Sequence, residues 1–304
     1  MYILMLGIAV IVIIVAGFAL TDREKVKLSD ALRSARNVSY VTLSKGTTAY
    51  RMSKGSLGKT VVFAHGATIP SWSWDLLAKE MEDAGYGILT YDMYGRGLSD
   101  NPEVSYDRKL YLDQLKELVD ALQIEKPFHL VGLSFGGATA VNFASKFPQY
   151  VDKLVLIAPV IHNYSKPKFM KVPVVAKIAI RLFGVSTISK RFNSFIRNFQ
   201  EYASYATLFD EQTRYKGFRR SMFSMLSSDA IGIYDDAYKT VGAQQRKSLL
   251  IWGMQDEEIT EDMITAVRSL IPSIEFLPLD GAGHGVLFEK HKEVSEKIIS
   301  FFSS

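Results

Sequence analysis

Cysteine is absent from the 304-residue chain. No disulfide framework and no thiolate metal site is available to it, and a chain without thiols is compatible with either redox compartment. A strong charge of one sign is also missing. Lys and Arg number 36 against 32 Asp and Glu, and the resulting net charge of +4 is too mild to point to nucleic acid. Neither an internal repeat nor a low-complexity tract is visible. There is no phosphate-cradling G-x-x-x-x-G-K-[ST] loop and no His/Glu cluster with zinc spacing, so no cofactor and no metal is implied. With 48% hydrophobic and 22% charged residues, the composition is that of a globular protein rather than a disordered one.

Charged side chains are missing altogether from Met1 to Leu20. Twenty helical residues span about 30 Å, the hydrocarbon thickness of a bilayer, so residues 1–20 are expected to form a transmembrane anchor. A cleaved signal peptide is the rival. It would want a basic region ahead of the apolar run, which is absent, but Gly17-Phe18-Ala19 is a passable cleavage site. Arg23, Lys25 and Lys27 follow at once. For a retained anchor the positive-inside rule places the rest of the chain in the cytoplasm; cleavage would instead leave a secreted or periplasmic protein. Residues 21–37 are charged and read as a linker.

From Val38 onward, strand and helix signals alternate. A hairpin is expected over 38–52, turning at Lys45-Gly46, and apolar strands over 60–64, 87–91, 128–133, 153–158, 248–252 and 274–279. Helical stretches fall over 74–84, 106–122, 137–146, 261–270 and 289–302. This order predicts a mostly parallel sheet covered on both faces, with ligand sites at the carboxyl ends of the strands. Residues 38–159 and 246–304 are expected to make that core, and 160–245 a helical cap inserted into it. The insertion is aromatic, with Phe169, Phe183, Phe192, Phe195, Phe199, Tyr202, Tyr205 and Phe209. No acidic residue occurs between Asp152 and Glu201, a span carrying Lys153, Lys166, Lys168, Lys171, Lys177, Arg181, Lys190, Arg191 and Arg197. A solvated basic face and a surface resting on anionic lipid headgroups both fit that run.

The most specific signal is Gly132-Leu133-Ser134-Phe135-Gly136, a G-x-S-x-G segment between a β-type run and a small-residue helix. A sharp strand-to-helix turn that exposes a serine hydroxyl needs near-absent side chains two positions before and after it. Ser134 is therefore the candidate nucleophile. A serine hydroxyl needs a base, and the base needs an orienting acid. Of five histidines, His284 in Gly281-Ala282-Gly283-His284-Gly285 follows the last strand and is the candidate base. His65 reads as loop-shaping, His129 and His162 as structural and His291 as solvated. Asp256, just past the strand ending at Trp252, is the candidate acid; Glu257 and Glu258 leave some ambiguity, and Asp280 is the fallback. Backbone amides of Ala67 and Phe135 are the candidate oxyanion donors.

These pieces, with His65-Gly66, the Asp92-Met93-Tyr94-Gly95-Arg96-Gly97-Leu98-Ser99 loop and Trp252-Gly253-x-x-Asp256, resemble serine hydrolases of the α/β-hydrolase superfamily over about residues 45–302. The N-terminal apolar run before a capped core makes the chain similar to membrane-anchored monoacylglycerol lipases and to bacterial lipase-like esterases. The resemblance implies cofactor-free hydrolysis of carboxylic esters, with small-molecule or lipid esters and a membrane surface as partners. Other chemistry on the same triad stays open: amide or C–C hydrolysis, perhydrolysis, or slow turnover in a ligand receptor. A serine at 134 argues against the haloalkane dehalogenase and epoxide hydrolase branches, which use aspartate.

Overall fold

The computed structural model describes residues 2–162, 172–196 and 203–304. Strands β1 (Ser39–Leu43), β2 (Gly46–Ser53), β3 (Thr60–Ala64), β4 (Gly87–Tyr91), β5 (Phe128–Leu133), β6 (Val151–Ile157), β7 (Ser248–Gly253) and β8 (Glu275–Leu279) form one sheet in the order β1-β2-β4-β3-β5-β6-β7-β8. The β1–β2 and β2–β4 pairs are antiparallel and every other pair is parallel. Strands β4, β5 and β7 are buried throughout, which explains their unbroken apolar runs. Edge strand β8 is partly exposed and carries Pro278, a residue an edge tolerates.

Helices in chain order are α1 (Tyr2–Leu20), α2 (Asp30–Ser34), α3 (Asp75–Asp83), α4 (Arg108–Ala121), α5 (Phe135–Lys146), α6 (Pro173–Ala179), α7 (Val185–Ile196), α8 (Ala203–Gln212), α9 (Phe218–Ser227), α10 (Asp235–Ala243), α11 (Glu261–Leu270), α12 (Val286–Glu289) and α13 (His291–Ser303). The two-residue period of the strands sorts the core into two layers. Val62, Leu89, Leu130, Leu154 and Leu250 face α4, α5, α10 and α11. Val61, Ile88, Val131, Val155 and Leu249 face α3, α12 and α13. The terminal helix expected over 289–302 is broken at Lys290 into α12 and α13. Helix α10, the last in the 160–245 insertion, packs with α5 and α11 against the sheet rather than standing above it.

Residues 21–37 do not hang free. Arg219 pairs with Asp22 at 2.7 Å and Glu24 at 3.1 Å, and Arg33 pairs with Asp100 at 2.6 Å. Helix α1 exposes large apolar side chains, among them Leu6, Ile13 and Leu20. Among the described residues no helix is long and apolar enough to cross a membrane, so the transmembrane anchor expected over 1–20 is not established by the fold.

The basic run is not one face. Lys153 is a core residue: its Nζ donates to the carbonyls of Phe301 and Phe302, each at 2.9 Å. Arg181 pairs with Asp22 at 3.1 Å and covers the Phe18 ring, and Lys177 lies over the Phe223 ring. Lys190 is exposed. Lys166, Lys168, Lys171 and Arg197, and the side chain of Arg191, lie outside the described residues. So do Phe169, Phe199, Tyr202 and the ring of Phe195.

Candidate active site

Parallel strands β3 and β5 are neighbours whose following connections leave in opposite directions, toward β4 and β6, and the candidate residues gather there. Ser134 directly follows β5 with φ 53° and ψ −117°, a strained conformation for a residue with a side chain. Contacts on both sides hold it. Its N–H donates to Ile157 O at 2.9 Å, and its carbonyl accepts from Gly137 N at 2.9 Å and Val160 N at 3.1 Å. The flanking glycines are sterically required. A Cβ at 132 would lie 2.4 Å from Gly136 O, and one at 136 would lie 2.0 Å from Ala64 O.

His284 enters from the loop after β8. Its Nε2 is 3.1 Å from Ser134 Oγ and its Nδ1 is 2.8 Å from Asp256 Oδ2. The Asp256 side chain is fully buried. Its second oxygen accepts from the amides of Glu258 at 2.8 Å and Ile259 at 2.9 Å. Each carboxylate oxygen therefore has a donor, which is what a buried charge needs. Asp280, the fallback acid, turns to Gln255 at 2.9 Å and is not part of the array.

The loop after β3 lies against the serine. Gly66, Ala67 and Thr68 line the same cavity as Ser134 and Phe135. Phe135 opens α5, so its amide is a first-turn donor with no intrahelical acceptor. His65 braces the loop from beneath. Its Nδ1 meets Gly66 O at 2.6 Å, and Met93 N donates to its Nε2 at 2.8 Å, which fixes the neutral Nδ1–H tautomer. Burial lowers the pKa of this ring from 6.5 to about 4. His129 stacks on Phe302 with centroids 4.2 Å apart, and burial takes it to about 4 as well. His162 faces Asp235 at 3.1 Å, and His291 begins α13.

Above the serine is a cavity of about 410 Å³, lined by apolar groups that include Ile180, Phe183, Met222, Met225, Leu226 and Phe288. An aromatic stack stands beside it. Trp72 lies parallel to Tyr205 at 4.8 Å, and Phe192 lies parallel to Phe209 at 4.5 Å. Glu258, one of the acids that left the assignment of Asp256 ambiguous, lies in the cavity wall with its Oε2 3.5 Å from His284 Nε2. Nothing in the sequence marks it as inward-facing; the turn tied down by Asp256 sets its direction. Among the described residues no group of three or more His, Asp or Glu side chains could hold a metal ion.

Residues 59–291 match the alpha/beta hydrolase fold family, and the chain belongs to it. Lipase 1 of Psychrobacter immobilis is 21% identical over 293 residues, covering 94% of this chain and 90% of that protein. The 2-hydroxy-6-oxononadienedioate/2-hydroxy-6-oxononatrienedioate hydrolase of Cupriavidus pinatubonensis is 25% identical over 293 residues, covering 90% and 98%. The enol-lactonase of Burkholderia xenovorans LB400 superposes with a TM-score of 0.73 at 16% identity, covering 88% of this chain and all of that one (100%). This last likeness is one of fold.

Proposed function

We propose that this hydrolase cleaves carboxylic esters with apolar acyl chains, monoacylglycerols among them, through an acyl-enzyme. Ser134 attacks the ester carbonyl. His284 takes its proton and passes it to the leaving alcohol, while Asp256 holds the imidazole and stabilises its charged form. The amides of Ala67 and Phe135 receive the oxyanion. Water then enters through the same base and releases the acid. The observation carrying this reading is the continuous chain from Ser134 through His284 to Asp256, at 3.1 and 2.8 Å, beneath an apolar cavity. The relative named a lipase is in keeping with an ester substrate.

In this reading the part of the 160–245 insertion that precedes α10 forms the cap, and 38–159 with 246–304 the catalytic core, to which α10 adds a helix. Residues 1–20 hold the enzyme at a membrane. Supporting that, α1 is 19 residues without a charge, and its end runs close to Leu182 of the insertion.

The test uses wild type and Ser134→Ala, an active-site-directed fluorophosphonate and p-nitrophenyl esters of rising chain length. Labelling and turnover that both vanish in the variant are expected. A folded wild type that takes no label sinks the assignment of Ser134. Labelling without ester turnover moves the reading to another acyl substrate or to a slow receptor. For the anchor, the full chain is expected to stay with membranes through alkaline carbonate extraction; release into the supernatant removes that part.

A further inference from the structure

Arg219, in the first turn of α9, has a side chain only 6% exposed, so its charge needs acceptors close by. Among the described residues the carboxylates paired with it are Asp22 at 2.7 Å and Glu24 at 3.1 Å, both from the segment that follows α1. Its Nη1 also donates to the carbonyls of Thr21 at 3.0 Å and Arg181 at 3.2 Å. One guanidinium thus joins three pieces of chain: residues 21–24, α9, and the π-helical turn Ile180–Gly184. Further bonds surround that junction. Glu24 accepts from the amides of Arg219 at 2.7 Å and Gly217 at 3.1 Å, where the start of a helix leaves its N–H groups open. Asp22 pairs with Arg181 as well, and Val26 exchanges backbone hydrogen bonds with Arg214 and Lys216.

The same pieces build a wall of the cavity. Ile180 and Phe183 come from the turn, and Met222 and Met225 from α9, about one and two turns beyond Arg219. Toward the core, α9 is held by Ser221, whose Oγ accepts from Arg96 at 3.0 Å; toward the turn, it is held through Arg219. We infer that Arg219 is a positioning residue that determines specificity: gripped by residues 21–26, it fixes the spacing of α9 and the 180–184 turn, and with it the acyl chain that the cavity accepts. Methionine side chains adapt their own shape, so a wall built on Met222 and Met225 is defined by where its backbone is held. A wall displaced by about 0.5–1 Å forfeits roughly a quarter to a half of its dispersion contact with a bound chain. A long acyl chain touches more of the wall than a short one and loses more. Residues 21–26 are then part of the substrate-binding apparatus rather than a spacer.

This inference rests on the ester-hydrolase reading for its substrate, and its test separates the two. Wild type, Arg219→Met, the pair Asp22→Asn with Glu24→Gln, and all three changes together are compared on p-nitrophenyl butyrate and p-nitrophenyl decanoate. Active sites are first counted with a fluorophosphonate. The ratio of kcat/KM for the decanoate to that for the butyrate is expected to fall about tenfold in Arg219→Met, the worth of about two buried methylene groups. The Asp22 and Glu24 pair should lower it in the same direction. The combined variant should match Arg219→Met, because the three residues act through one junction. A role in stability alone lowers the active fraction and leaves the ratio where it was. Should Arg219→Met fail to fold, the milder Asp22 and Glu24 pair decides. A ratio that rises, or stays within about twofold of wild type, overturns the role of Arg219 while ester hydrolysis stands. A fall in Arg219→Met with none in the pair overturns the part given to residues 21–26. A wild type that takes the label but turns over neither ester overturns the ester reading; the ratio of labelling rates for a decyl and an ethyl fluorophosphonate then decides on Arg219.

Discussion

Arg96 donates through Nε to the carbonyl oxygen of Ala67 at 2.5 Å, joining the loop after β4 to the loop after β3. The same guanidinium donates to Gly95 O at 2.7 Å and to Ser221 Oγ at 3.0 Å, reaching the inserted helix α9. It is 2% exposed, yet no carboxylate pairs with it at salt-bridge distance among the described residues. Its partners are carbonyls, a hydroxyl and the face of Phe218, and burial lowers its pKa. Arg96 therefore pins the Ala67–Thr68 peptide, the unit directly after the candidate oxyanion amide of Ala67.

Replacing Arg96 by Met would leave the buried carbonyl of Gly95 and the part-buried one of Ala67 without that donor, at a cost of about 1–3 kcal/mol. A lower melting temperature is expected, with a fall in kcat of tenfold or more and a smaller change in KM, because the oxyanion is bound only in the transition state. Lys should not rescue kcat, since a point charge cannot replace a fork that donates in three directions. Unchanged kcat in a folded Arg96→Met enzyme would show that Ala67 holds its place without it.

Two acids near the end of β7 and β8 can be told apart by one substitution each. Asp256→Asn should lower kcat by about 10⁴, as loss of the orienting acid does in other triads. Asp280→Asn should stay within about threefold of wild type, because that exposed carboxylate faces Gln255 rather than His284. Equal losses in the two variants would overturn the assignment of Asp256.

Gly136 permits the elbow to close on β3. A methyl group there would lie 2.0 Å from Ala64 O and 2.5 Å from His65 O, both backbone atoms that cannot step aside alone. Gly136→Ala should cost about 3 kcal/mol or more, at the upper end of overpacking effects. Urea unfolding at neutral pH reads this directly. The control is Gly58→Ala, whose Cβ meets nothing within 4 Å but whose φ of 64° still strains a side chain; it should cost only about 1 kcal/mol.

Much of this site was legible because its parts are local. The elbow needs glycines at fixed offsets, and the apolar runs of β3, β5 and β7 are continuous because both of their faces are covered. Ser134, Asp256 and His284 each follow a strand end, so the strand pattern alone placed them at one edge of the sheet. What escaped depends on distance or on side-chain direction. Nothing near Arg96 announces a bond to Ala67, 29 residues earlier. Lys153 looked like one more surface cation, but β6 begins beside the last turn of α13 and the terminal carbonyls of that helix take its ammonium. Glu258 was indistinguishable from Glu257 until Asp256 bent the turn.

Two buried histidines should make the fold lose stability in acid. His65 and His129 have their pKa values lowered from 6.5 to about 4, first by desolvation in both cases; nearby Asp92 and Asp152 offset it only in part. In the unfolded chain each ring takes up a proton near pH 6.5, while in the folded chain neither does until about pH 4. Between those values the unfolded state binds more protons, so stability is fully present above pH 6.5 and drains away as the pH falls toward 4. For His129 a shift of this size corresponds to roughly 3 kcal/mol at the lower end of the window. Urea midpoints should fall steeply from pH 7 to pH 4.5 in wild type. His129→Leu keeps an apolar surface for the Phe302 ring and removes one titrating group, so its midpoint should fall distinctly less over the same interval. The variant and wild type losing stability in parallel would mean that the His129 ring is protonated as readily in the folded protein as in the unfolded chain.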